Sequence, residues 1–221
     1  PHKPITDPLG KADVDSSKAA KRAIEDMDEA LGELRSTLDT LGVRNNTMLW
    51  FTSDNGPEYG VDSPHETDRN RSLRSGGLRE RKRSLYEGGI RVPGILEWPD
   101  VIKSGRVTAM PAVTSDYYPT ILDFLEIDVP GQKPIDGISL RPLIEENMSA
   151  RPAPIGFISQ KKRAWTTDDY KLVDPGTGQW ELYDITTDPQ ERNNLAATYP
   201  AEVKRLEAEF DAWRTDVKAD Q

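Results

Sequence analysis

The stretch Thr47-Met48-Leu49-Trp50-Phe51-Thr52-Ser53-Asp54-Asn55-Gly56-Pro57 constrains the fold of this chain more than any other. A run of large apolar residues stops at a carboxylate, an amide, a glycine and a proline. Asn45-Asn46 bound it on one side and a Gly-Pro breaker on the other, so it reads as a short buried strand rather than a helix. In open α/β sheets, ligands sit just beyond the carboxyl ends of the strands. Asp54 and Asn55 at such an end offer hard oxygen donors of the kind that bind calcium or magnesium. The expectation is a divalent-metal site at the mouth of a parallel sheet. An ordinary Asx turn satisfies the same residues, because Asp, Asn, Gly and Pro are each turn formers. Two ligands also fall short of the about 6 to 8 oxygens calcium takes, so further donors have to come from elsewhere.

The surrounding 221 residues are enough for one large domain or one and a half smaller ones. Hydrophobic residues make up 35%, including five Trp, seven Tyr and four Phe, which supports a modest core. A net charge of −9 argues against general affinity for nucleic acid or anionic lipid. No apolar run approaches the roughly 18 residues of a membrane span. The absence of cysteine excludes disulfides, thiolate chemistry and Cys-based zinc sites. The chain opens at Pro1 in loop-like sequence without Met, and the expectation is a C-terminal portion of a longer protein.

From about Ser17 to Leu41 the apolar residues Ile24, Met27, Leu31, Leu34, Leu38 and Leu41 recur at alternating spacings of three and four. They form one stripe of an amphipathic helix, capped by Ser16 or Ser17 and closed by Gly42, and a helix packed on a sheet is expected. A polar stretch from Glu58 to Leu85 follows the first strand and has no apolar period; such long loops are functional or disordered. Ile90 to Trp98 reads as a second strand interrupted by Pro93. Ser115 to Leu125 reads as a helix burying Tyr118, Ile121, Leu122 and Leu125, with Pro119 tolerated in its first turn. Near Ala150 the texture changes. Ile155–Ser159, Ala164–Thr167, Tyr170–Val173 and Trp180–Tyr183 read as an antiparallel meander, and Pro200 opens a last helix carrying Val203, Leu206, Phe210 and Trp213. The expected domains are residues 1–150 and 151–221.

Lys82 with Arg81 and Arg83 lies on the loop leading to the second strand. This run is either a solvated basic loop or an anion site, in which a lysine point charge or an arginine fork holds sulfate or phosphate oxygens. Of the two histidines, His65 reads as an exposed bystander in the polar loop. His2, held between Pro1 and Pro4, gains meaning only beside the metal site, where it can donate a proton or hydrogen bond to an oxyanion. Three Asn-X-Ser/Thr sequons, at Asn45, Asn70 and Asn147, assign no compartment.

Taken in order, these residues resemble a family. Ser53-Asp54-Asn55-Gly56-Pro57, then Lys82 before Tyr86-Glu87-Gly88-Gly89-Ile90-Arg91-Val92-Pro93, resembles the C-terminal half of a type I, formylglycine-dependent sulfatase. Asp136-Gly137-Ile138-Ser139-Leu140-Arg141-Pro142-Leu143 is similar to that family's Asp-Gly-x-Ser-Leu-x-Pro-Leu segment. Glu181-Leu182-Tyr183-Asp184, with Asp188-Pro189, Glu191 and Asn194-Leu195-Ala196, resembles its C-terminal meander signature. Ala23 to Asp28 fits the helix before the metal strand, and Pro1-His2-Lys3-Pro4 fits the preceding His-containing loop. The resemblance spans essentially the whole chain.

The resemblance implies sulfate-ester hydrolysis on an alkaline-phosphatase-like α/β fold: a mixed sheet flanked by helices, then a small antiparallel sheet and helix. It makes Asp54 and Asn55 ligands of a Ca2+ or Mg2+ ion. It makes Lys82 a catalytic contact to the sulfate near the leaving oxygen, and His2 a second such contact. The partner it implies is a sulfated small molecule or glycan. The family's nucleophile is a formylglycine made in a Cys/Ser-x-Pro/Ala-x-Arg motif, which is absent from this sequence. The 221 residues alone are therefore expected to be inactive. Where the family usually has glycines around Lys82, this chain has Arg81 and Arg83, which leaves open which cation faces the substrate. Two rival readings keep the fold. One is hydrolysis of phosphate mono- or diesters, against which Asn55 argues, since two-metal phosphatase relatives generally place His there. The other is non-catalytic binding of sulfated glycans through Arg69 to Arg83. Family habit alone favours a periplasmic or secreted location.

Overall fold

The computed structural model describes residues 16–58 and 75–219. The chain divides into two compact units between Lys103 and Ser104. The change of texture near Ala150 falls just before the antiparallel sheet, which opens at Ile155.

In the first unit, helix α1 runs Ser16–Thr40. It ends as its sequence demands: Gly42 takes a left-handed φ of 68°, Gly42 N–H donates to Asp39 O at 3.0 Å, and Val43 N–H donates to Leu38 O at 3.0 Å. This is the paired-bond cap that glycine permits at no steric cost. Strand β1 is Leu49–Thr52, the helical turn α2 is Glu87–Ile90, and strand β2 is Gly94–Glu97.

Three expectations need correction here. β1 pairs antiparallel with β2, Leu49 facing Glu97 and Thr52 facing Gly94, and no parallel pair occurs among the described residues. The connection from β1 to β2 starts and finishes at the same end, so no crossover carries the chain back to begin a parallel neighbour. The second strand is shorter than its apolar run: residues 87–90 coil, with Arg91 N–H bonded to Glu87 O at 2.7 Å, and Pro93 has no N–H for a ladder. The stripe of α1 also stays largely uncovered among the described residues, with Ile24 63% and Leu41 67% exposed. A helix of 25 residues is about 37 Å long, and strands of four residues span about 13 Å. Glu97 ties the helix to the ribbon, accepting from Arg35 Nε at 2.7 Å, and also pairs with Arg44 just beyond the helix. Arg35 first, and then Arg44 against the opposing effect of burial, hold the Glu97 carboxyl below its ordinary range.

In the second unit a 3-10 turn, Thr114–Asp116, leads into α3, Tyr117–Leu125. The expected buried face is a further correction: Thr120 is fully buried, whereas Tyr118, Ile121 and Leu125 are exposed. The fully buried position of Thr120 is held by polar bonds. Thr120 Oγ1 donates to Asp116 O at 2.6 Å and accepts Leu140 N–H at 2.8 Å. Asp116, also fully buried, accepts the amides of Val113 and Ile138 and both Arg151 terminal nitrogens at 2.8 Å. Gly137 passes so close that a Cβ there would lie 2.0 Å from Ser115 O. The Asp136 to Leu143 segment is thus a packing clasp on α3, and it leads into the short helix α4, Arg141–Ile144.

Strands β3 (Ile155–Ser159), β4 (Lys162–Thr166), β5 (Tyr170–Asp174) and β6 (Glu181–Asp184) form an antiparallel meander in chain order. Helix α5, Pro200–Ala219, lays Leu206 and Phe210 on it, both fully buried with Trp165, Leu172 and Leu182. Burying each such side chain contributes about 1.5–3 kcal/mol. Gly156 is required beneath the helix, since a Cβ there would lie 2.5 Å from the Trp213 ring. Asn194 Oδ1 accepts Leu182 N–H at 3.1 Å and Ala196 N–H at 3.0 Å, pinning the returning loop to β6. Lys171 and Glu191 form an ion pair at 3.0 Å, both fully buried. The meander and its helix match the sequence expectation.

At the β5–β6 turn, Asp174 accepts the amides of Gly176, Thr177 and Gly178 at 2.8–3.0 Å and the Arg163 guanidinium at 2.8 Å. Burial opposes ionisation of Asp174, but Arg163 and the Gly176 and Gly178 amides outweigh it and hold the carboxyl below its ordinary range. A carboxylate depressed in the folded state stabilises that state above its unfolded value of about 3.9, and the contribution is lost as pH falls below that value. Amide-exchange protection of Thr177 and Gly178 is expected to fall as pH drops below about 4. Asp174→Asn should remove that dependence; an unchanged profile in the mutant would count against this assignment.

Candidate functional site

Beyond Thr52 the chain turns sharply through Ser53, Asp54 and Asn55. Ser53 Oγ donates to Asn55 O at 3.0 Å, and Asn55 Nδ2 donates to Gly56 O at 3.0 Å. The amide nitrogen being engaged, Oδ1 is the atom Asn55 has to offer a cation. Asp54 stands exposed at the tip.

Three glycines bring the rest of the site to this tip. Gly56 is buried, its N–H donates to Gly89 O at 2.8 Å, and a Cβ on it would lie 1.9 Å from Gly88 O. Gly88 N–H donates to Arg79 O at 2.7 Å, and its absent Cβ would lie 2.3 Å from the same oxygen. A Cβ on Gly89 would lie 2.2 Å from Ser84 O and 2.6 Å from Arg81 O. Strand end, helical turn α2 and the 79–84 loop are therefore stacked backbone on backbone. Arg79 seals the edge of this stack, its guanidinium 3.8 Å above the buried Tyr86 ring.

The stack sets Lys82 against the strand end, with Lys82 N–H donating to Pro57 O at 3.2 Å. Glu58, one residue beyond Pro57, has a side chain only 9% exposed; it accepts Arg81 Nη1 at 2.7 Å and also pairs with Arg83. Lys82 is half-buried and has no salt-bridge partner among the described residues. The structure thus brings together Asp54, Asn55, Arg81, Lys82 and Arg83, and it sorts the three cations: both arginines turn to Glu58. His2, His65 and Arg69 to Arg74 lie outside the described residues.

Glu58 is the residue the sequence reading missed. Nothing local distinguishes it from the other acids of the polar stretch. The available signal was electrostatic, since two arginines flanking a lysine require a counter-charge. As for a metal, the Asp54 carboxylate and Asn55 Oδ1 are hard donors at an accessible strand end, which fits calcium or magnesium chemistry. Among the described residues no group of three or more Asp, Glu or His gathers as a ligand set.

The glycine stack is testable apart from any activity. Gly89→Ala in the full-length protein is expected to cost about 1–3 kcal/mol by urea unfolding. Gly94→Ala, with nothing within 4 Å of the added methyl, should stay within about 0.5 kcal/mol of the parent. Equal effects would refute the close packing.

A family model described as Sulfatase matches residues 6–127, and one described as N-sulphoglucosamine sulphohydrolase, C-terminal, matches residues 80–216. The steryl-sulfatase of Rattus norvegicus is 38% identical over 125 residues, which is 55% of this chain and 21% of the relative. The N-acetylglucosamine-6-O-sulfatase of Bacteroides thetaiotaomicron is 30% identical over 197 residues, 81% of this chain and 32% of the relative. A protein solved in complex with its substrate D-glucosamine-2-N,6-O-disulfate is 27% identical with a TM-score of 0.67, over 88% of this chain and 39% of that one. The chain spans well under half the length of each of these relatives. Its architecture is that of the alkaline-phosphatase-like mixed α/β sulfatases, with their small antiparallel sheet and terminal helix. Since the sulfatase model covers more than half of its residues, this chain belongs to the sulfatase family.

Proposed function

We propose that the full-length protein hydrolyses sulfate esters of aryl or carbohydrate substrates, with Lys82 meeting the sulfate and Asp54 and Asn55 holding a calcium or magnesium ion. The observation that carries this reading is the sorting of cations beside the strand end: among the described residues Glu58 pairs with Arg81 and Arg83, whereas Lys82 has no carboxylate salt-bridge partner. The sulfated substrates named for the relatives support the substrate class.

Cleaving the S–O ester bond builds negative charge on the bridging oxygen. Lys82 answers that charge with a compact ammonium carrying three donors, on a backbone whose N–H is bonded to the Pro57 carbonyl. Asn55 is neutral, so with Asp54 it gives the cation two oxygens at the cost of one negative charge, which limits repulsion of an incoming sulfate. A divalent cation bound there polarises the nonbridging oxygens. His2 is assigned a second contact to the sulfate or leaving group. The nucleophile, a formylglycine, is assigned to residues outside these 221, which lack its motif.

The test is a set of single variants in the full-length protein, assayed on an aryl sulfate and the matching aryl phosphate. Lys82→Ala should lower kcat/KM on the sulfate by about 10²–10³-fold, the scale of losing one charge-stabilising donor. Asp54→Ala should abolish both metal retention and activity. Arg81→Ala and Arg83→Ala should each cost less than Lys82→Ala. Faster turnover of the phosphate would move the assignment to phosphoester hydrolysis, and salt-sensitive glycan binding without sulfate release would remove the enzyme reading.

A further inference from the structure

Glu58 lies outside every motif that carries the family resemblance, yet its side chain is only 9% exposed beside the candidate site. Its carboxylate receives the residues on both sides of Lys82, Arg81 at 2.7 Å and Arg83. The residue before it, Pro57, accepts the Lys82 N–H at 3.2 Å. Two consecutive residues after the strand thus grip three consecutive residues of the loop, with Lys82 in the middle. The loop needs such a grip. Arg83 and Glu80 hold left-handed φ values of 76° and 64°, conformations that side-chain-bearing residues keep only where surroundings impose them.

Charge gives the arrangement a second consequence. An arginine fork matches the oxygens of a sulfate better than an ammonium does, so two arginines beside Lys82 are natural competitors for the substrate. A nearly buried Glu58 carboxylate shared between them engages both forks, the half-buried Arg81 and the largely exposed Arg83. We infer that Glu58 is a positioning residue for Lys82: it anchors Arg81 and Arg83 so that the lysine ammonium, and not a guanidinium, meets the sulfate. This inference rests on the assignment of Lys82 proposed above.

A double-mutant cycle in the full-length protein tests it. Glu58→Ala should lower kcat/KM on an aryl sulfate by about 10²-fold, the scale of misplacing a catalytic group by an ångström. Glu58→Gln should behave similarly, since an amide nitrogen cannot accept from a guanidinium. In the Lys82→Ala background, Glu58→Ala should add less than about twofold, because residues that act through one another are non-additive. A merely structural glutamate would give multiplied losses in the double variant, and that result overturns the inference while leaving Lys82 in its role. If Lys82→Ala itself has no effect, the underlying assignment fails and Glu58 falls with it. The same cycle read on inorganic sulfate affinity by calorimetry carries the test for variants too slow to assay. There too, a loss on Glu58→Ala that persists in the Lys82→Ala background overturns it.

Discussion

The backbone hydrogen bond from Gly56 N–H to Gly89 O, at 2.8 Å, joins the strand end to the helical turn at the centre of the candidate site. For it to form, the end of β1 must approach α2 closely enough that no Cβ fits on Gly56, Gly88 or Gly89. The 79–84 loop then wraps the same glycines, and its path delivers Lys82 to the carboxyl end of a strand 30 residues earlier in the chain. Backbone packing of this kind is stiff, because a backbone amide has no rotamers to relax into. The Lys82 backbone is fixed by this packing, which under the proposed role limits how far its ammonium must be reorganised.

Charged groups are handled the same way in both units: a partly or fully buried carboxylate is shared among several donors. Glu97 ties α1 to β2, Glu58 ties the loop to the strand end, and Asp116 ties α3 to Ile138 and Arg151. Asp116 and Arg151 are both essentially buried, and losing one partner of such a pair costs about 3–5 kcal/mol. Several polar and glycine residues of the second unit are explained by this bonding or by close packing. Asp116, Thr120, Gly137 and Asn194 satisfy backbone groups or permit close approach, and none needs a role in chemistry to account for its type.

Much of the fold was legible. The apolar run before Asp54 announced a strand, short β runs with Gly-Thr-Gly and Asp-Asp turns announced the meander, and Gly42 announced the end of α1. Partners were harder to read than elements. Nothing within Leu49–Thr52 says whether its neighbour runs parallel or antiparallel, since a short apolar run serves either. The face of α3 was misjudged because hydrophobic period counts side chains and ignores the Thr120 hydroxyl, whose two hydrogen bonds outweigh it here. At the site, residue types identified Asp54, Asn55 and the basic triplet. Which of the three neighbouring cations pair with a carboxylate is a question of partner geometry, and the partner, Glu58, lies 23 residues from Arg81.

The central claim is that a carboxylate sorts the cations around a sulfate site built on one strand end. A crystal structure of the full-length protein with calcium and a bound sulfate ester tests it most directly. The account predicts Lys82 Nζ within hydrogen-bond distance of a sulfate oxygen, Asp54 and Asn55 Oδ1 on the metal, and Glu58 still paired with Arg81 and Arg83. A guanidinium of Arg81 or Arg83 on the sulfate, with Glu58 released, would contradict it.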